Sequence, residues 1–128
     1  MVSQNMKNIL IVEDEEDIAE MIKFELERRN YKVDIKPDGI AALKEIRLKV
    51  PDLMIADIIM PRMNGFMMMQ ELEKIGFSSP LIIVSGAYAN RAKDFKTSLN
   101  VLTSIEKPFS VKLLLEVIDN FFKSDIAS

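Results

Sequence analysis

Four short, mainly apolar segments in this chain each stop at a polar residue, and three of them are uninterrupted. Ile9-Leu10-Ile11-Val12 runs into Glu13-Asp14, and Leu53-Met54-Ile55-Ala56 runs into Asp57. Leu81-Ile82-Ile83-Val84 stops at Ser85, and segment 102–105 leads to Glu106-Lys107-Pro108. Continuous runs of this length, bounded by turn residues, suit strands buried on both faces of a parallel sheet. Ligands of such sheets bind outside the carboxyl ends of the strands. The polar stops are therefore candidates for one shared site of carboxylates, a hydroxyl and an ammonium. That set suits divalent-metal binding and phosphoryl chemistry.

Segments of helical period lie between the runs. Residues 16–29 place Ile18, Met21, Ile22 and Leu26 on one face. After Asp38-Gly39, Ile40, Leu43 and Ile46 recur at helical spacing. Residues 65–75 carry Phe66, Met69 and Leu72, with Gly76 as a stop. A more polar helix is expected over 90–99, with Ala92, Phe95 and Leu99 inward. Ser110 fits the N-cap of a last helix bearing Val111, Leu114, Leu115, Ile118 and Phe122. Residues 31–35 alternate in polarity, as a strand at a sheet edge does. Met60, Met63 and Met67 to Met69 read as adaptable core packing, although Met67 and Met68 cannot both join Met69 inside. Alternating strands and helices make a (βα)5 chain whose right-handed crossovers give a parallel sheet covered on both faces.

With 128 residues, the chain is expected to form a single domain over 1–128, with 1–7 and 124–128 as loosely ordered tails. Only five residues follow Lys123, so no appended effector domain is expected. Lys and Arg number 17 against 20 Asp and Glu, and this balance argues against direct nucleic-acid binding. There is no Cys and no His, which excludes disulfides, thiol chemistry and the usual zinc ligands. A chain without His can receive from a phosphohistidine but cannot be one. No segment has the length of a signal h-region or a membrane span, so a cytoplasmic protein with no membrane partner is expected.

Asp52 and Asp57 bracket one strand and lie roughly 16 Å apart at ~3.3 Å per residue. They cannot share a site, and Asp57 is the one at the ligand-binding end. Glu13, Asp14 and Asp57 together would be frustrated, since carboxylates about 5 Å apart repel by roughly 3 kcal/mol at an effective dielectric near 20. Lys107 can offset part of that charge, and a divalent cation the rest. Mg²⁺ suits hard oxygen ligands and keeps several waters. A carboxylate can also act as nucleophile and form an aspartyl phosphate.

Taken together, Ile9 through Asp14, the run from Pro51 through Asp57 to Gly65, Val84-Ser85-Gly86 and Lys107-Pro108-Phe109 resemble the receiver domains of bacterial two-component response regulators. The likeness covers nearly the whole chain, in order. It implies a flavodoxin-like three-layer α/β sandwich, five parallel strands in the order 2-1-3-4-5. It implies that Asp57 accepts a phosphoryl group from a sensor histidine kinase or a histidine phosphotransfer protein. Asp14, Asp57 and the backbone carbonyl of Ile59 would hold Mg²⁺ (or Mn²⁺), with Glu13 acting through water. Ser85 would hydrogen-bond the phosphoryl group and Lys107 would pair with it. The Lys107-Pro108 peptide is expected to be cis.

Such a domain is a switch rather than a conventional enzyme, passing its state to a downstream protein. The resemblance leaves room for a homodimer through the face formed by the fourth helix, fifth strand and fifth helix. Ser104 stands where this family usually has an aromatic residue that moves inward with phosphorylation, and Ile59 is apolar where polar residues are also common. Ile59 is expected to slow water attack on the phosphorylated form. Relay intermediate, phosphate sink and unphosphorylated scaffold are the alternatives to direct output. A haloacid-dehalogenase-type phosphatase would want an Asp where Ile59 stands, no P-loop motif occurs, and the acidic loop after the first strand does not suit a flavin phosphate.

Overall fold

The β-strands are parallel throughout, because each returns to the sheet through a connection long enough to cross over it. A computed structural model of the chain describes residues 6–58, 65–86 and 97–127, with side chains as far as Lys123. The described elements are β1 (Asn8–Val12), α1 (Glu16–Arg28), β2 (Lys32–Lys36), α2 (Gly39–Leu48) and β3 (Leu53–Asp57). They continue with α3 (Gly65–Lys74), β4 (Leu81–Ser85), β5 (Val101–Glu106) and the last helix, called α4 (Val111–Ala127). The sheet order is β2-β1-β3-β4-β5, the flavodoxin-like arrangement, with β2 at an edge as its alternating pattern requires.

Alternation along each central strand feeds two separate cores. Leu10, Val12, Met54 and Ala56 pack with Leu43 and Ile46 of α2 and Met68 and Leu72 of α3. Ile9, Ile11, Ile55 and Val84 turn the other way, to Ile22 and Leu26 of α1 and Leu114 and Ile118 of α4. Both faces of β3 and β4 are thus covered, and every residue of these two strands is buried.

Several boundaries and faces differ from the sequence reading. β2 begins at Lys32 rather than at residue 31. Tyr31 instead lies buried under α4, where its hydroxyl donates to Asp119 Oδ1 at 2.6 Å. Burial and that bond push the phenol above its ordinary range. In α1 the buried stripe is Ala19, Ile22 and Leu26, at i, i+3 and i+7, and Met21 is turned outward at 47% exposure. Both Met68 and Met69 are buried, and Met67 is the exposed member of the trio. Residues 97–100 belong to no helix, so the expected 90–99 helix does not reach Leu99; its remainder, 90–96, falls outside the described residues. Met60, Met63 and Ile59 fall outside them too. α4 runs to Ala127, beyond Lys123.

The helix ends follow their local chemistry. Asp38 is the N-cap of α2, its Oδ1 accepting the Ala41 N–H at 2.9 Å. Ser110 caps α4 through Oγ, which accepts the Leu113 N–H at 3.2 Å. Gly76 takes φ +72° where α3 stops, and the Phe77 N–H closes back on the Leu72 carbonyl at 3.0 Å. Asp52, at the amino end of the sheet, accepts the Asn8 N–H at 2.7 Å and is far from the opposite pole. Asp38 is itself buried, and its loss leaves the Ala41 N–H without this acceptor. Asp38→Ala is expected to cost about 1–2 kcal/mol, read as a lower urea midpoint with an unchanged slope.

Candidate metal and phosphoryl site

Strand register brings the polar stops together. β1 pairs with β3 up to Val12↔Ala56, so Glu13 and Asp57 emerge side by side. β3 pairs with β4 up to Asp57↔Val84, which puts Ser85 one step further along its neighbour. Ser85 pairs with Glu106, and the Lys107 N–H donates to the Ser85 carbonyl at 2.9 Å. A one-residue slip in any of these pairings would send the side chains to the other face.

Lys107 sits at the centre of the result. Its Nζ lies 2.9 Å from Glu13 Oε1, 3.0 Å from Asp57 Oδ2 and 3.5 Å from Glu15 Oε1. The Lys107-Pro108 peptide is cis, as expected. Glu13 and Asp57 are buried, whereas Asp14 is exposed at the mouth. One carboxylate oxygen from each of Glu13, Asp14 and Asp57 falls within 4.8 Å of the others. At that spacing each pair of charges repels by roughly 3 kcal/mol at an effective dielectric near 20.

Burial pushes the Glu13 carboxyl above its usual range, and Asp57 adds to the rise; the bonds from Lys107 and from the Glu15 N–H (3.1 Å) only partly oppose it. For Lys107 burial works against the charge, but the bonds to Glu13 and Asp57 win and hold the amine above the ordinary lysine range. The ammonium is therefore permanent at any physiological pH. Among the described residues, one fixed cation faces Glu13, Glu15 and Asp57 directly, with Asp14 beside them. Hard oxygen donors in surplus over positive charge suit Mg²⁺ or Mn²⁺.

Ser85 is fully buried, and its Oγ has no hydrogen-bond partner among the described residues. A buried hydroxyl left unpaired costs about 1–3 kcal/mol, so a polar ligand group reaching Ser85 would recover that cost. Glu13, Asp14, Asp57 and Lys107 are thus brought together, and Ser85 adjoins them in register. The Ile59 carbonyl lies outside the described residues.

Two residues escaped the sequence reading. Glu15, which immediately precedes α1, reaches Lys107 at 3.5 Å. Its position next to an acidic pair was the only available signal. Gly65 opens α3 with its N–H donating to the Ile58 carbonyl. A Cβ there would press on the Ile58 Cα and come within 2.9 Å of the Asp57 carbonyl oxygen. Only glycine lets the helix start against the backbone that carries Asp57. The sequence marks this glycine as a turn residue but not which strand it touches.

A doubly wound parallel sheet, with an acidic cluster and a lysine at its carboxyl edge, defines an α/β domain with a candidate cation site at the strand ends. The model of the response regulator receiver domain matches residues 9–119, and the chain belongs to that family. It is 36% identical over 110 residues to the response regulator ArlR of Staphylococcus epidermidis, covering 86% of this chain and 50% of that protein. It is 31% identical over 104 residues to the alkaline phosphatase synthesis transcriptional regulatory protein PhoP of Bacillus subtilis, covering 81% and 43%. The chain thus spans about half the length of these curated relatives or less. Among solved structures, a CheY-like receiver domain protein from Methanospirillum hungatei superposes with a TM-score of 0.84 at 28% identity, covering 94% of this chain and 96% of that one. TrrA of Thermotoga maritima, solved in complex with Mg²⁺-BeF, gives 0.75 at 29% identity, covering 90% and 98%.

Two substitutions test the geometry. Asp14 is solvent-screened, so its share of the repulsion is about 1 kcal/mol. Asp14→Asn should raise the melting temperature in chelator by about 3–5 °C, and added Mg²⁺ should then stabilise the variant less than the parent. A lower melting point in chelator would tell against a crowded acidic site. Gly65→Ala should cost about 1–3 kcal/mol through overpacking, seen by denaturant unfolding.

Proposed function

We propose that this domain is a phosphorylation-operated switch whose phosphoacceptor is Asp57. The observation that carries the reading is the hold of Lys107 on Asp57 inside a cluster of carboxylates able to take a divalent cation. An Asp57 carboxylate oxygen attacks the phosphorus of a phosphohistidine on a sensor kinase or phosphotransfer protein. The new O–P bond forms as the N–P bond breaks, and the imidazole leaves with the bonding pair and takes up a proton. Glu13 (through water), Asp14, Asp57 and the Ile59 carbonyl would hold Mg²⁺ or Mn²⁺, which when bound neutralises charge on the phosphoryl oxygens.

The remaining work falls to the chain's own side chains. Lys107 already sits 3.0 Å from Asp57 Oδ2 and passes to the phosphoryl oxygens without leaving the pocket. Ser85 holds an unspent hydroxyl at the end of the neighbouring strand and donates it to the phosphoryl group. Buried and preorganised donors of this kind stabilise developing charge at little reorganisation cost. As Lys107 turns to the phosphoryl group, Glu13 and Glu15 lose part of their counter-charge. The modification then biases two conformations by the difference in their interaction energies, and a downstream protein reads the change.

The reading places the domain in the cytoplasm with its phosphodonor. Among the described residues no helix is long and apolar enough to cross a membrane. Ser104 in β5, at the position where the family usually has its moving aromatic, favours relay or sink duty over readout through that side chain.

Incubation with Mg²⁺ and a small acyl-phosphate donor, followed by intact mass measurement, should show one added phosphoryl group. Asp57→Asn should abolish it, and Ser85→Ala should slow it about tenfold or more. Absence of labelling in the parent would leave the scaffold reading in its place. Persistence of labelling in Asp57→Asn would move the acceptor to another residue.

A further inference from the structure

Leu48 is the most exposed large apolar side chain among the described residues, at 85%, and Val50 two residues on is 63% exposed. Arg47 and Lys49, both exposed, flank Leu48, and neither makes an ion pair within 4 Å among the described residues, although Arg47 lies in the field of Glu71 of α3. The neighbouring acids are already engaged, Glu71 with Lys74 at 2.8 Å. Glu45 pairs with Lys36 at 3.7 Å, and Asp52 accepts the Asn8 N–H. Residues 47–50, the C-terminal end of α2 and the loop that follows it, are held firmly, for the Lys49 N–H bonds the Glu45 carbonyl at 2.8 Å and Pro51 is buried behind it. A rigid basic loop with an aliphatic tip contributes little to folding.

The opposite pole carries its complement. Ile18 and Met21 of α1 face Pro108 and Phe109 across an open groove of about 390 Å³, which Lys107 and the exposed Glu15 also line. Lys107 is spent on Glu13, Glu15 and Asp57. Asp17, exposed and four residues before Met21, lies on the same side of α1. The groove is apolar inside and acidic at its rim. It is built from residues that follow β1 and β5, at the carboxyl ends of the strands, whereas loop 47–50 precedes β3 at the amino ends.

We infer that the 47–50 loop of one copy docks in this groove of a second copy. Leu48 enters between Met21 and Phe109, and Arg47 and Lys49 meet Glu15 and Asp17. An anionic bilayer would also answer the loop's charge, but two aliphatic side chains make a small anchor. The chain's own groove answers it in polarity and in sign. Because knob and groove lie at opposite poles, the contact is heterologous and builds a head-to-tail row.

Sedimentation velocity from 10 µM to 1 mM (roughly a hundredfold span), in low salt, tests this. The parent should sediment faster as concentration rises, and about 0.5 M NaCl should reverse much of the gain. Leu48→Ser and Met21→Lys alter exposed side chains, so both should melt like the parent and each alone should stay monomeric. Mixed together, they should form a one-to-one complex, since one supplies an intact groove and the other an intact loop. A parent that stays monomeric throughout, or variants that still self-associate, would overturn the contact. Leu48-dependent flotation with phosphatidylserine vesicles by a monomeric parent would assign the loop to lipid instead.

Discussion

The ion pairs of Lys107 hold the carboxyl edge of the sheet together. Strands β1, β3 and β5 each deliver a chain end whose charge would be costly alone: Glu13 and Asp57 are buried, and Lys107 nearly so. A buried carboxylate without a partner costs several kcal/mol, and two beside each other cost more. The ammonium converts that liability into a joint between three strands. Among the described residues the joint is incomplete, since Glu15 and Asp14 leave negative charge in excess. A divalent cation held by these carboxylates would relieve that excess.

The two cores explain why the joint can be so polar at one end. Each central strand buries alternate residues against a different pair of helices, so the sheet is fixed along its length by apolar contact. Register is thereby settled before the last residue of any strand is reached. That register brings the site residues side by side, and the ion pairs of Lys107 then join the strand ends that carry them. This is also why the site tolerates a Ser85 hydroxyl with no partner among the described residues: stability comes from elsewhere, and the site can be kept poised.

Legibility in the sequence followed the same division. The runs 9–12, 53–56 and 81–84 named their strands almost to the residue, because burial on both faces leaves little room for polar positions, whereas the edge strand β5 is half-buried and carries Thr103 and Ser104. Glu13, Asp57, Ser85 and Lys107 could be grouped because a parallel sheet sends all its carboxyl ends one way. The helical faces were less sharply written. Met21 is as apolar as Ile22, and only the position of the sheet decides that Ala19 is inside and Met21 outside. Tyr31 looked like part of an alternating strand, while its phenol is claimed by Asp119 of α4, 88 residues away. Gly65 and Glu15 act on backbone and charge that lie far off in the chain, so nothing in their local sequence could show which partner they meet.

Glu15 links the site to the proposed contact between copies. It stands 3.5 Å from Lys107 and also lines the groove meant for loop 47–50. A phosphoryl group on Asp57 would draw Lys107 inward and leave Glu15 with less counter-charge. The groove rim then becomes more acidic, and a loop bearing Arg47 and Lys49 is held more firmly. Linkage requires the reverse as well: a docked loop that engages Glu15 makes Lys107 easier to recruit, by the same free energy. An exposed carboxylate in partly screened surroundings can transmit on the order of 0.5–1 kcal/mol, a two- to fivefold change in either affinity. That is small for a switch and sufficient for a bias, and its sign is fixed by which charge Glu15 has left to share.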